Sequence, residues 1–311
     1  KADVGLSLGS ATGQTISLRN DLDRLNSIVA SNGSARGRLE VTQNSLDLVN
    51  KISLELRDNL IAAKGSGTAA FTAVSNAKAA LSDFTTALNT TFNGEHIFSG
   101  INTDVQPITD YFSSGAPNKQ AVDTAFSTQF GFAQTDAQVN TLTAGDIDTF
   151  LGGAFDALFG DPDWGTTWSA ASDSNVRSRI STSQLVETSL NANQPAFRDL
   201  AKAMTMVADL GVENMSEGAF EAVLDRAVSL ISGAVQDVQN SQANLGLVQR
   251  QIDDADEFMN IQSNIIQKTL SGLEDIDPYE ASNRINLLLN QIEISYAVTS
   301  RIQRLSILNH I

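Results

Sequence analysis

Few side chains in this 311-residue sequence are of the types that carry out catalysis or hold metals. There is no cysteine, and the two histidines are His96 and His310. A thiol nucleophile is therefore excluded, and a zinc site of the usual ligand type nearly so. His96 follows a glycine turn next to Glu95, but a general base needs a positioned nucleophile and an orienting group, and no such grouping is present in the sequence. We therefore predict a structural turn histidine, no catalytic residue and no enzyme.

Aspartates and aromatic residues crowd the middle of the chain. Residues 101–175 hold ten aspartates and a single base, Lys119. Calcium loops need carboxylates at fixed spacing, and no Asp-x-Asp-x-Asp-Gly loop occurs there. Trp164 and Trp168 with Tyr111 have the chemistry of a sugar-stacking platform, although such residues more often form the core of a small domain. We expect the aromatic residues to form a core and the aspartates to form a solvated face. We expect no metal and no cofactor to bind.

The overall charge narrows the class of partner. With 36 acidic and 20 basic side chains the formal net charge is −16. An anionic chain gains nothing from counterion release on a phosphate backbone and offers no basic face to anionic lipid. No apolar run approaches the ~20 residues of a membrane span. The sequence thus predicts that the protein does not bind nucleic acid and has no membrane span.

The positions of the five prolines divide the chain. None lies in residues 1–106 or in residues 196–277. Proline costs about 3 kcal/mol inside a helix, so these two stretches have room for long helices, and the aromatic, acidic middle is a separate unit. We expect four segments: an N-terminal helical arm at 1–100, an outer head domain with possible strands at 101–193, a C-terminal helical arm at 194–274 and a terminal helix at 275–311.

Apolar residues repeat through both arms at coiled-coil spacing. Alternating steps of three and four residues through 224–273 meet an apolar residue at twelve of fifteen positions, with no slip in phase. The N-terminal arm has two such runs, 8–29 and 39–63. Their phases differ by one residue, which predicts a bend or weak point around Asn32, Gly33 and Arg36.

Turn residues and shorter patterns set the remaining elements. The glycines after Lys64 end the first long helix, and a second helix follows that we expect to stop at Asn93-Gly94. In the middle, residues 125–132 and 176–188 are possible strands, residues 148–159 a short helix and residues 160–163 a turn. A further helix after Pro195 closes near Gly211.

The last helix is the most informative feature of the sequence. Asp277-Pro278-Tyr279-Glu280 is a strong helix start, with a capping aspartate, a first-turn proline and a glutamate three residues after the cap. The apolar residues that follow cover most of the circumference, so the helix must be buried, and an assembly is the natural place. The predicted assembly contacts are Leu287, Leu288, Ile292, Tyr296, Ile302, Leu305 and Leu308.

These pieces, in this order, resemble the flagellin superfamily. Residues 2–6 are similar to the family's segment after its first N-terminal helix, residues 92–100 to the turn that ends its second helix, and residues 271–281 to its acidic hinge. The similarity covers 1–104 and 176–311 and is weaker in the middle. It implies that a few tens of residues precede the position of Lys1 in the family, so we expect the terminal helix to lack its N-terminal partner here.

Within the superfamily, the sequence is most similar to the hook–filament junction proteins, the hook-associated protein 3 group, in alphaproteobacterial form. This rests on residues 97–104 and on the ending, Ser295-Tyr296-Ala297, Arg301-Ile302 and Leu305-Ser306-Ile307-Leu308. The resemblance implies a mainly α fold with a smaller α+β domain: a long antiparallel coiled-coil-like bundle, the flagellin-like rod, with a projecting mixed head. It further implies a structural adapter, assembled outside the cell between the first hook-associated protein and the filament.

The same resemblance implies the partners. They are copies of the chain itself, the first hook-associated protein and flagellin, together with the flagellar type III export apparatus and a chaperone, with export that uses no cleaved signal peptide. Two alternatives remain open at this point. One is a filament flagellin, and the other is a surface adhesin whose acidic aromatic head holds a glycan or protein ligand.

Overall fold

The computed structural model describes residues 2–64, 69–274 and 278–308 and is mainly helical, with two short hairpins, which confirms the predicted fold class. The helices are α1 Ala2–Ala63, α2 Ala70–Leu88, α3 Pro117–Phe130, α4 Ala144–Gly152, α5 Ala154–Ala157, α6 Pro195–Asp209, α7 Glu217–Glu274 and α8 Pro278–Leu308. The strands are β1 Thr91–Phe92, β2 Glu95–His96, β3 Arg177–Arg179 and β4 Leu185–Glu187.

Two compact units share these elements. One comprises residues 1–26 and 260–311, and the other residues 27–259. In the first, Arg19 of α1 forms a bidentate ion pair with Glu274 at the end of α7, at 3.0 and 2.8 Å. The division into four segments at 100, 193 and 274 stays a prediction.

In the second unit, α1 and α7 pair antiparallel. The cross-helix contacts move back along α7 as they advance along α1: Arg36 binds Asp253 at 2.9 Å, and Asn50 binds Gln242 at 2.7 Å. Lys64 then forms an ion pair with Asp225. These polar groups flank the row of buried residues along which the two helices pack, called the seam below. They fix the register of the two helices, as expected for a coiled coil.

The seam of α1 passes through Asn32 without a slip in phase. Its buried positions alternate by three and four residues over 28–63 and the helix is unbroken, so a slip at Asn32–Arg36 is absent, while the bend or weak point expected there stays a prediction. Asn32 occupies a seam position because both of its amide hydrogens have acceptors: Asp256 Oδ1 at 2.6 Å and the carbonyl of Ile180 at 2.9 Å. The buried positions are Ile28, Asn32, Ala35, Leu39, Thr42, Leu46, Val49, Ser53, Leu56, Leu60 and Ala63.

The seam of α7 follows the predicted phase only as far as Ile252. Beyond it Met259 keeps its predicted position, but the other buried residues, Asp256, Ser263 and Leu270, each lie one position after the residue predicted. A straight helix has 3.6 residues per turn and drifts against a repeat of 3.5, so one face cannot keep the same phase over fifty residues. The predicted absence of a slip is therefore wrong in the last third of α7.

Helix α2 ends before the predicted position. It stops at Leu88, and Asn93-Gly94 instead makes the turn of the β1–β2 hairpin, with φ of 52° and 84°. Asn-Gly suits this turn because both residues accept positive φ. The hairpin is held to α1 by Phe92, whose ring approaches so closely that a Cβ at Gly37 would lie 2.8 Å from it. The end of α1 at Ala63 is as predicted, while residues 65–67 lie outside the described residues.

One of the two possible strands in the middle of the chain is a helix. Residues 125–130 belong to α3, which begins with Pro117 in its first turn and ends at Gly131 with φ of 80°. Both end signals are typical of a helix, so the predicted strand is wrong for these residues. Residues 176–188 do form a hairpin, in which β3 and β4 pair antiparallel with Ser178 opposite Val186.

The other short elements of the middle agree with prediction in kind. The expected helix at 148–159 is two helices, α4 and α5, separated at Gly153. Thr143 and Asp146 cap α4 reciprocally, which gives this aspartate a structural role. Residues 160–163 form the predicted turn, and α6 closes just before Gly211, whose φ is 72°.

The aromatic residues form the core of this middle region. Trp164 and Trp168 are stacked with ring centroids 5.5 Å apart, and Tyr111 stacks on Trp168 at 5.4 Å. All three are fully buried, and the α2–α6 contact continues the same core. The prediction of core aromatics is confirmed, and these rings cannot serve as an exposed sugar platform.

Candidate functional site

The candidate assembly interface is α8. Its described side chains from Tyr279 to Arg304 are exposed, apart from the half-buried Ala281. Five of the seven predicted contact residues are at least half exposed, and the side chains of the other two, Leu305 and Leu308, lie outside the described residues. The exposed five are Leu287, Leu288, Ile292, Tyr296 and Ile302.

The local sequence explains why α8 is helical without packing. It begins at Pro278, as predicted from the cap motif, although Asp277 itself lies outside the described residues. Proline at the first turn gives up no hydrogen bond, and the ion pair from Arg284 to Glu280 at 2.9 Å links adjacent turns. Such pairs contribute only about 0.3–0.5 kcal/mol each.

The exposed apolar residues of α8 lie on two opposite faces. With 3.6 residues per turn, Ile285, Leu288, Leu289, Ile292 and Tyr296 share one face. Leu287, Ile294 and Val298, at spacings of seven and four, share the opposite face, and all eight are exposed. Isolated apolar side chains at a surface are ordinary, but two stripes of them on one helix make α8 a candidate contact surface.

Four further apolar residues of α7 are exposed at positions that the seam pattern did not single out. Leu247 and Phe258 are exposed three turns apart, and Ile261 and Ile265 are exposed one turn apart. They lie off the seam, where a coiled coil normally carries polar residues. A search for apolar residues at these outer positions would have found them.

Ion pairs between α1 and α7 fix the register of the two long helices. Arg36 binds Asp256 at 2.7 Å, and this hydrogen bond raises the pKa of Arg36. The hydrogen bonds that Arg19 donates to Glu274 likewise raise the pKa of Arg19, although this pair is exposed. Exposed pairs add little stability, so their effect is chiefly on register.

His96, the residue considered above as a general base, contacts only backbone in the hydrogen bonds that the structure describes. Nδ1 of His96 lies 3.1 Å from the carbonyl oxygen of Asn89, within the hairpin region. Among the residues that the structure describes, there is no group of three or more acidic, histidine or cysteine side chains placed to hold a metal. None of the described helices is long and apolar enough to cross a membrane.

Comparison with known proteins matches both ends of the chain to the same family. The family model for the bacterial flagellin N-terminal helical region matches residues 1–103, and that for the flagellin C-terminal helical region matches residues 228–311. Together they span more than half of the chain. Flagellin A of Rhizobium meliloti is 33% identical over 110 residues, which are 35% of this chain and 26% of the relative, so the chain matches about a quarter of that protein's length.

A solved structure supports the fold. A Vibrio parahaemolyticus protein, provisionally described as a flagellar hook-associated protein, superimposes with a TM-score of 0.53 over 83% of this chain and 96% of its own. At 13% identity this similarity concerns the fold alone. The two family models, together with the long antiparallel helices, place the chain in the bacterial flagellin family, as a structural component of the flagellum.

Proposed function

We propose that this protein is the adapter between hook and filament, assembled through α8 as part of a helical polymer. The observation that carries the proposal is the exposure of apolar residues on two opposite faces of α8. Burial of apolar surface releases about 25 cal/mol per Å², and α8 gains this only when neighbours cover it. Two faces suit a helix that lies between two neighbours in a closed layer.

The helical arms are suited to close packing with other copies. Charged residues make up 18% of the chain, and much of the negative charge lies in residues 101–175. The exposed apolar residues of α7, Phe258 and Leu247 among them, would then add contacts between copies outside the α8 layer. Assembly couples burial of both surfaces to the presence of neighbours.

The junction position is favoured over the filament by the sequence of residues 97–104. It is closer to junction proteins than to filament flagellins, which usually have leucines and an aspartate before the glycine. The partners under this proposal are the first hook-associated protein, flagellin and further copies, after type III export with a chaperone to the outside of the cell.

Removal of α8 tests the assembly mechanism. The chain lacking residues 285–311 should remain a soluble folded monomer, because α8 buries no described side chain beyond Ala281, and it should not join hook tips. A matched pair of full-length variants separates apolar contact from helix formation: Leu288→Gln with Ile292→Gln should block incorporation, while Asn290→Gln with Glu293→Gln should not. Normal incorporation of the truncated chain would overturn the proposal.

Imaging separates the junction from the filament. An antibody against the head, applied to native flagella, should label a single band at the boundary between hook and filament. Labelling along the filament, or growth of long filaments from the purified chain alone, would instead establish a filament flagellin.

A further inference from the structure

A cavity of about 340 Å³ opens in the middle region, beside the first turns of α6. It lies wholly within the unit formed by residues 27–259 and is separate from α8. Its size is at the lower end of the range for small-molecule sites, with room for one or two sugar-sized rings. The lining residues are Asp156, Phe159, Gly160, Asp161, Asn193, Pro195, Arg198, Asp199 and Lys202.

Charged groups of both signs line this cavity, and each is held in place. Lys202 Nζ donates to Asp156 and to Asp199, at 2.9 Å each. Burial would lower the pKa of Lys202, but these hydrogen bonds outweigh it and the pKa is raised, so the ammonium stays charged. Arg198 Nη1 donates to Asp161 at 3.1 Å.

The arginine is fixed from two further sides. Arg198 Nε donates to the carbonyl of Asn193 at 2.9 Å, and its guanidinium lies 5.5 Å from the ring centroid of Trp164. Trp164 in turn donates to Asn193 Oδ1 at 2.9 Å. The polar groups of the cavity are therefore preorganised, which lowers the entropy cost of binding a ligand.

The cavity retains hydrogen-bonding capacity after these internal pairs. Each carboxylate uses only one oxygen, Oδ1, in its ion pair, so the Oδ2 atoms of Asp156, Asp161 and Asp199 remain as acceptors. An ammonium has three donors, of which Lys202 uses two. Pro195 adds an exposed apolar surface beside them.

A neutral ligand fits this arrangement better than an ion. An anion would meet three carboxylates, and a cation would meet the guanidinium of Arg198 and the ammonium of Lys202. The carboxylates also form no group suited to a metal among the described residues. A ligand with several hydroxyl groups can donate to the spare carboxylate oxygens, accept from the ammonium, and place its C–H face on proline.

We propose that this cavity binds a neutral pyranose sugar, either free or as the terminal residue of a glycan. Each hydroxyl acts both as donor and as acceptor, so a single ring can engage Asp161, Asp199 and Lys202 together. The site is independent of α8, and its occupancy does not depend on the proposed junction role.

Sugar binding is measured on the full-length chain. Saturation-transfer NMR with methyl glycosides of common neutral hexoses and N-acetylhexosamines tests free sugars, and an array of neutral oligosaccharides tests terminal residues. At least one pyranose should bind in either format. Asp161→Asn and Asp199→Asn should each weaken its binding about tenfold, the loss expected for a hydrogen bond to a charged group.

A matched control separates the cavity from the fold. Asp163→Asn changes a neighbouring aspartate that does not line the cavity, and it should bind with unchanged affinity. Circular dichroism should show the same melting transition for all three variants. The proposal is overturned if no neutral sugar binds in either format, if n-butylamine or acetate binds in place of sugars, or if both cavity variants keep full affinity.

Discussion

At the scale of single residues, Tyr111 shows how the head uses its polar groups for structure. Its hydroxyl donates to Asp209 at 2.7 Å, and Lys119 donates to the same carboxylate at 2.7 Å while lying 5.7 Å from the tyrosine ring centroid. Burial, and after it the negative charge of Asp209, raises the pKa of Tyr111 far above its ordinary value. The neutral phenol is thus strongly preferred in the folded state.

This environment predicts a loss of stability at alkaline pH. In the unfolded chain a tyrosine ionises at about pH 10, so the contribution of Tyr111 is fully present below that pH and is lost as the pH rises above it. Phenolate absorbance and far-ultraviolet circular dichroism, followed together, should show one tyrosine ionising only as the chain unfolds. Tyr111→Phe should abolish that coupled signal and Tyr296→Phe should keep it. Ionisation of Tyr111 in the folded chain would contradict the prediction.

At the scale of elements, α7 carries both buried and exposed apolar residues. Met259 lies on the seam and is almost fully buried, whereas the adjacent Phe258 is more than half exposed. Packing against the rest of the chain accounts for the first residue only. Under the proposed assembly, the second is available for contacts between copies.

These adjacent positions predict opposite outcomes for the same substitution. Met259→Ser should lower the free energy of unfolding by about 3 kcal/mol, because it removes buried apolar volume and buries a hydroxyl. Phe258→Ser should change it by less than about 0.5 kcal/mol, as surface substitutions do, yet slow assembly. Urea denaturation and light scattering measure the two effects. Equal destabilisation by both variants would show that Phe258 is not a contact residue.

The elements that the sequence predicts well are those with long-range repetition. Both long helices and the close of α6 at Gly211 are predicted because periodicity and glycine chemistry act locally, whereas the segment 176–188 is predicted only as a possible strand and forms a hairpin. The seam position of Asn32 could not be predicted, because it depends on acceptors from Asp256 and Ile180, which are far away in sequence. For the same reason the cavity beside α6 has no sequence signature: it joins residues from 156 to 202 through tertiary contacts.

At the scale of the whole molecule, charge opposes the assembly that apolar surfaces favour. Each chain carries a formal −16, so copies repel one another at low ionic strength. The Debye length falls from about 30 Å at 0.01 M salt to about 10 Å at 0.1 M, which screens this repulsion while leaving apolar contact intact.

Assembly should therefore accelerate with added monovalent salt. Light scattering from seeded growth should give a rate that rises between about 0.01 and 0.15 M sodium chloride and then levels off, once the Debye length is near 8 Å. Asp104→Lys with Asp148→Lys, two exposed positions of the head, changes the net charge by four and should flatten this dependence. The pair Asp104→Glu with Asp148→Glu keeps the charge and should retain it. A rate that falls with salt would contradict this prediction. It would mean that attractive ion pairs between copies control growth, and not apolar contacts that are opposed by charge repulsion.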